Sequence, residues 1–467
     1  MDSLLFQSAG RCAAMIRAKE LSPVELVNAV LARIDQINPL LHVFVSVNHD
    51  GAIEDARAAE AAVMRGGALG PLHGVPYSVK DNVDVRGLAS TLGLKLMRNN
   101  VAGADAPVVH LARAAGAICI GKTSMPELGW DSATESPVSG IALNPWDVTR
   151  SAGGSSGGAG AALAAGLAPL AIGTDGGGSI RQPASFNGVV GLKASAGLVP
   201  VYPPSRFAPL GHLGPMARSV DDVALLLDVV AGVDPRVEGS IERRFAAACT
   251  GDLQNCRIGY SRSINGHAVD SEVSEVVEQW VNSLRDVGAT VERFDLRATG
   301  LEDAWNALYL GATAKAFEAL PPEAKLEVSP EFAAFLDKCN RITNEDCIKA
   351  ELQRHSIIRQ VYQATRHLDL IVMPTASTAA FPADRQIRAN TTGKTHAQGD
   401  LLRLTQIWNM TGQPALSLPA GWTSSGLPVG VQIIGHMGKD ALVLRAAKAT
   451  ERSWPDRHPA LGDRALG

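Results

Sequence analysis

The residues best suited to chemistry lie in one stretch, 150–184, which reads RSAGGSSGGAGAALAAGLAPLAIGTDGGGSIRQPA. It holds two glycine-dense turns, Gly153–Gly158 and Gly173–Gly178, with Ser155 and Ser156 inside the first and Ser179 closing the second. Glycine is used where backbone takes a positive φ or passes very close to another group. Between the turns, Ala159–Ile172 is small and apolar, with the length of a short helix followed by a short buried strand. Two such turns joined by a compact element can bring Ser155 and Ser179 together among bare backbone N–H groups. An acyl-transfer site with an oxyanion hole has that requirement.

Three other readings of the stretch compete with this one. A Gly-Ser linker would not carry the apolar run Leu163–Ile172, nor Asp175 and Arg181 flanking a serine. A phosphate-cradling Walker loop needs a lysine after the glycines, and neither turn has one. G-x-S-x-G occurs at Gly153–Gly157 and again at Gly154–Gly158, the pattern of a nucleophile elbow. An elbow follows an apolar strand, whereas Asn144–Ser151 is a poor candidate for a central strand.

The elements that must position these serines can be traced along the chain. Ser22-Pro23-Val24-Glu25 is a helix start, and Val27, Val30, Leu31 and Ile34 then repeat along one face. His42–Val47 alternates as a short strand, and Ala52–Met64 reads as a surface helix. The β-type run Tyr77–Val79 ends at Lys80-Asp81-Asn82, and a lysine closing an apolar strand is rarely buried without a reason. The ordinary reading is a lysine reaching solvent or pairing with Asp81. Gly116–Gly121 is another buried strand containing Cys119, read as a packing residue, with Lys122 following it. Val189–Leu192 precedes Lys193, which resembles the ordinary strand-end case. Arg218–Gly232 forms an amphipathic helix, and short strands are expected at Arg257–Tyr260, Thr290–Phe294 and Asp369–Pro374. Asn409–Gly435 reads as strand, turn and returning strand, with helix Lys439–Trp454 closing the chain. Interleaved strands and helices imply an α/β core, and one domain over residues 1–467. It divides into an N-terminal helical region (1–65), a catalytic core (70–220), a variable region (231–406) and C-terminal strands with a helix (409–454).

Composition narrows the partners. A net charge of −4 over 467 residues points to neither nucleic acid nor a membrane surface. Six cysteines lie without C-x-x-C or metal-ligand spacing, as reduced packing thiols of a cytoplasmic protein. No signal peptide and no apolar run of about eighteen residues is present. No metal or organic cofactor is implied. A homodimer through the N-terminal helices is the expected assembly if there is one.

Four segments together carry a resemblance: VKDN at Val79–Asn82, GGSSGG at Gly153–Gly158, GTDGGGSIRQPA at Gly173–Ala184 and GLPVGVQIIG at Gly426–Gly435. In this order they resemble the amidase signature family of serine amidohydrolases, most closely its stand-alone bacterial amidases. The resemblance implies a large mixed twisted β-sheet covered by helices on both faces. It also implies a Ser–cis-Ser–Lys triad of Ser179, Ser155 and Lys80, with a cis peptide at Gly154–Ser155. The two serines stand 24 residues apart, as in the family. Such a triad needs a neutral lysine, and moving its pKa from about 10.4 to about 7–8 corresponds to roughly 4 kcal/mol, within reach of a buried site. Lys80 is therefore expected to be buried and hydrogen-bonded to Ser155. Backbone N–H groups of Gly176, Gly177, Gly178 and Ser179 are expected at the oxyanion, and Ser156, Asp175 and Arg181 as supports. One departure is Gly176, where the family usually has a larger residue; it is expected to loosen or widen the turn.

The implied activity is hydrolysis of a small-molecule amide, an aryl amide among the candidates. Alternatives are the glutaminase subunit of the tRNA-dependent amidotransferase, a urea or carbamate hydrolase, and a binding module that has lost the chemistry. Ala231–Ser240 lacks the Asp-x-Thr-Ser pattern associated with the glutaminase subunit, and all three triad positions are filled. The substrate pocket is expected from Ala231–Gln406, with Trp130, Asp131, Trp305 and Trp408 as candidate walls, core packing being the competing reading for each aromatic.

Overall fold

The computed structural model describes residues 2–203, 205, 209–237, 244–384 and 400–451. The strands, in chain order, begin with β1 (Phe44–Val47), β2 (Pro76–Lys80), β3 (Ile118–Thr123), β4 (Glu135–Ser136) and β5 (Gly140–Ile141). There follow β6 (Leu143–Asn144), β7 (Asp147–Ser151), β8 (Leu170–Asp175), β9 (Val190–Lys193) and β10 (His212–Ala217). The last are β11 (Arg257–Tyr260), β12 (Thr290–Arg293), β13 (Leu370–Pro374), β14 (Ala415–Trp422) and β15 (Pro428–Gly435). Eleven of them form one mixed sheet in the order β1-β3-β2-β8-β10-β9-β14-β15-β13-β11-β12, while β4-β5 and β6-β7 are separate two-stranded ladders. This is an α/β fold, a large mixed sheet covered by helices. Residues 147–151, unsuited to a central strand, stay outside the large sheet: they pair with β6 and, through a bridge at Arg150, with Pro382.

β2 and β3 are buried along their whole length and β8 everywhere but at Thr174, so they read as nearly continuous apolar runs rather than alternating ones. β2 runs parallel to both β3 and β8, with Val79 opposite Lys122 and Ile172. The carboxyl ends of these three strands therefore open at one edge, where ligands bind in open parallel sheets. β10 returns antiparallel to β8 and sets His212 opposite Asp175.

Helices fasten this arrangement. The helix Pro23–Leu41 starts where Ser22 Oγ accepts from the N–H groups of Val24 and Glu25. The helix Gly157–Ala164 is buried on every side, which its alanines and glycines permit. Its start at Gly157 converts the first glycine turn into a helix N-terminus. The closing helix is Asp440–Glu451; the remainder of its expected span, to Trp454, lies outside the described residues.

Two expectations about lysines change. Lys122 lies within β3 instead of after it, fully buried, its Nζ donating to Ser90 Oγ at 3.0 Å. Lys193 is also fully buried, its Nζ donating to Ala194 O at 3.1 Å. Its strand lies between β10 and β14, so the strand end is covered by sheet and does not reach water. Burial, with Arg181 nearby, pushes the Lys193 ammonium down to about 7.

Candidate active site

Lys80 closes β2 and has no exposed surface. Its Nζ donates to Ser155 Oγ at 2.7 Å, to Thr174 Oγ1 at 2.9 Å and more distantly to Thr174 O at 3.4 Å. Asn82 Nδ2 donates to the same Thr174 hydroxyl at 3.2 Å. Burial pushes the Lys80 ammonium down from 10.5 to about 7, against the opposing pull of Asp175 and Asp81. Asp81 is held by the Thr91 hydroxyl and by the N–H groups of Thr91 and Gly93.

The peptide Gly154–Ser155 is cis. Glycine is required at position 154 for space, because a Cβ there would lie 2.6 Å from Asp131 O and 2.7 Å from the Ser132 carbonyl carbon. Gly154 N–H donates to Gln182 Oε1 at 3.1 Å. Ser156 N–H donates to Ser179 O at 3.1 Å, a backbone bond that joins the two serine turns. Ser156 Oγ donates to Thr174 O and accepts from Thr174 N, so this hydroxyl holds the end of β8.

The second turn is organised by Asp175. Its buried carboxylate accepts from Gly178 N at 2.7 Å and Ile180 N at 3.2 Å, from Arg181 Nε and Nη2 at 2.9 Å each, and from Asn409 Nδ2 at 2.9 Å. Burial alone would raise this carboxyl; the Arg181 guanidinium more than reverses that and holds it well below the usual carboxylate range. Arg181 is itself fully buried and donates onward to Thr405 O, Gln432 Oε1 and Asn409 Oδ1. It braces the loop and does not line the cavity.

Ser155, Thr174, Asp175, Gly176, Gly177 and Ser179 line a cavity of about 190 Å³. Of the four N–H groups expected at an oxyanion, that of Gly178 is a correction: it is consumed by Asp175, and Gly178 does not line the cavity. Gly176 does line it and, unlike Gly178 (φ +140°), has no left-handed φ.

The remaining wall corrects another expectation. It comes from the segments after β2 (Asn82, Val83, Asp84) and β3 (Met125, Leu128–Ser132), and from Val201–Pro203 and Gly211–Leu213. From 231–406 only Tyr309 and Leu402 contribute among the described residues. The segments that follow parallel strand ends already surround the serines, leaving that region one side to cover. Trp130 and Asp131 line the cavity, Trp130 packing on Phe335 with ring centroids 4.9 Å apart. Trp305 stands behind the wall: it stacks on Tyr309 at 5.2 Å, and a Cβ on Gly177 would lie 2.5 Å from its ring. Trp408 is not a wall residue. It is fully buried in the apolar cluster with Ile371, Met373 and Ile434.

Thr174, Thr405, Asn409 and Tyr309 were not singled out from the sequence. Thr174 precedes Asp175 inside a quoted motif and Asn409 opens the C-terminal segment, so position was a signal for those two. His212, also unremarked, lines the cavity with its Nδ1 donating to Leu210 O at 2.8 Å. Among the described residues no cluster of three His, Cys, Asp or Glu side chains could hold a metal ion, and no helix is long and apolar enough to cross a membrane.

Comparison with known proteins places this geometry. The family model described as Amidase matches residues 25–444. An acylamidase of Rhodococcus erythropolis is 36% identical over 469 residues, covering 98% of each chain. A subunit of the glutamyl-tRNA(Gln) amidotransferase of Acidothermus cellulolyticus is 36% identical over 500 residues, covering 98% of this chain and 96% of its own. The crystal structure of a bacterial aryl acylamidase of the amidase signature family superposes with a TM-score of 0.89 at 28% identity, covering 97% of both chains. The chain belongs to the amidase signature family and is an amide-hydrolysing enzyme.

Proposed function

We propose that this chain is a stand-alone amidase that hydrolyses a small-molecule amide through an acyl-enzyme on Ser179. The observation that carries the reading is the 2.7 Å contact between Ser155 Oγ and the fully buried Lys80, whose pKa lies near 7. A neutral Lys80 accepts the Ser155 proton while Ser155 accepts that of Ser179, whose Oγ attacks the substrate carbonyl. The N–H groups of Gly176, Gly177 and Ser179 stabilise the oxyanion that forms, each such donor being worth about 10²–10³ in rate. The relay then runs backward, protonating the departing nitrogen so that ammonia or an amine leaves. Water repeats the sequence and releases the carboxylate.

Trp130 and Tyr309 give the cavity an aromatic side, which supports an aryl or otherwise apolar substituent on the substrate. The solved relative named an aryl acylamidase supports the same choice. All six cysteines are free thiols, consistent with a cytoplasmic enzyme. The second reading is the glutaminase component of an amidotransferase, favoured by the relative from Acidothermus cellulolyticus. Ammonia and amine release from anilides, aliphatic amides, ureas, carbamates and glutamine decides between them. Turnover of an anilide or aliphatic amide by the purified chain, abolished in Ser179→Ala and Lys80→Ala, is the expected result. Turnover of glutamine alone, and only with partner subunits added, would replace this reading with the second.

A further inference from the structure

We infer that Asn409 and Thr405, which come from the C-terminal part of the chain, are positioning residues of the nucleophile turn: Asn409 aims the Gly176 N–H, and Thr405 fixes the Gly177–Gly178 peptide that joins the Gly176 and Ser179 donors. The inference rests on the oxyanion role proposed above for Gly176 and Ser179. In a trans peptide the C=O and N–H point to opposite sides of the chain, so holding a carbonyl fixes the direction of the following N–H. Every relevant carbonyl of this turn except that of Gly176 is held. Asp175 O accepts from Asn409 Nδ2 at 2.9 Å, Gly177 O from Thr405 Oγ1 at 2.5 Å, and Gly178 O from Gln182 N at 2.8 Å. The N–H groups of Gly176 and Ser179, on the far side of two of these peptides, have no protein acceptor among the described residues. Both residues line the cavity. The third held peptide, Gly177–Gly178, is the one Thr405 holds; it turns the Gly178 N–H onto the Asp175 carboxylate. Thr405 thus acts on the oxyanion donors by keeping the shape of the turn between them, while the Gln182 N–H sets the direction of the Ser179 N–H.

Asn409 is suited to this work because its own orientation is dictated. Arg181 Nη2 can only donate, and it lies 2.6 Å from Asn409 Oδ1. The amide nitrogen must therefore face Asp175, where it meets both the main-chain oxygen and the carboxylate, with Leu210 O at 3.1 Å. Thr405 is packed as closely, since a Cβ on Gly178 would lie 2.3 Å from its hydroxyl. Neither Asn409 nor Thr405 lines the cavity, so neither touches substrate.

The test compares Asn409→Ala, Thr405→Val and Thr405→Ser with the parent chain, using an anilide substrate and counting functional sites with a fluorophosphonate. Loss of aim weakens transition-state binding alone, so kcat per titrated site falls about 10²-fold in Asn409→Ala and about tenfold in Thr405→Val, with KM within about threefold. Thr405→Ser keeps the donor and stays within about twofold of the parent. Affinity for an aryl boronic acid, whose tetrahedral Ser179 adduct places an oxygen in the turn, falls in step with kcat. Should Asn409→Ala not fold, the valine–serine pair at 405 carries the test. Full kcat per site in folded Asn409→Ala and Thr405→Val, or a loss carried by KM, would overturn the inference. Ser179→Ala, assayed in parallel, separates the cases: if it is inactive while the positioning variants are normal, only this inference falls; if it is active, the acyl-enzyme reading falls first.

Discussion

Activity should titrate with the Lys80 ammonium. Burial brings this group from 10.5 to about 7, and the proposed relay works only while it is neutral. Below its pKa the neutral fraction falls tenfold per pH unit, so kcat/KM should drop about 100-fold between a plateau above pH 8 and about pH 5. The sign is fixed by the role: a base is lost as pH falls, so activity rises with pH through about 7. Asp81 raises this pKa, so Asp81→Asn should move the midpoint to lower pH. Lys80→Arg, charged at every accessible pH, should be inactive throughout. The assay is kcat/KM for an anilide across the range in buffers of constant ionic strength, with folding checked by circular dichroism at each end. A profile flat from pH 5 to 8, or activity that rises on acidification, would refute the assignment of Lys80 as the base.

Other perturbations have outcomes that follow from the same contacts. Arg181→Met strands the buried Asp175 carboxylate, and the loss of a buried pair's partner costs about 3–5 kcal/mol, read as a lowered midpoint in urea unfolding. Gly177→Ala drives a methyl against the Trp305 ring, 2.5 Å away, displacing the turn; kcat should fall by at least about tenfold, and Trp305→Leu in the same chain should restore part of it. Thr174→Val removes an acceptor of the protonated Lys80, so the acid limb of the pH profile should move to lower pH while the fold is retained.

Much of this arrangement was visible in the sequence because chemistry and backbone constraint coincide there. A lysine ending an apolar strand, two glycine-bracketed serines and the Asp175–Arg181 pair are each odd enough to notice, and all meet in three dimensions. What stayed hidden depends on contacts between distant segments. Asn409 reaches Asp175 across 234 residues, and an asparagine in the short buried helix Gln406–Thr411, which the sequence read as the start of a strand, has no pattern that announces it. Gly178 resembled its neighbours as an oxyanion donor because nothing in a glycine run shows that a carboxylate three residues earlier takes that N–H. Lys193 read as a solvent-reaching lysine because strand order, which buries it between β10 and β14, is not written in local periodicity. Trp130 and Trp408 have the same side chain; only the loop after β3 brings one to the cavity, and the other falls inside the core.

The central claim is that substrate becomes covalently attached to Ser179. Intact-mass and peptide-level mass spectrometry of enzyme quenched within milliseconds of mixing with an activated aryl ester tests it most directly. The account predicts one acyl mass increment on the peptide containing Ser179, formed faster than steady-state turnover and absent in Ser179→Ala. An increment on Ser155 or any other residue, or full turnover by Ser179→Ala, would contradict it.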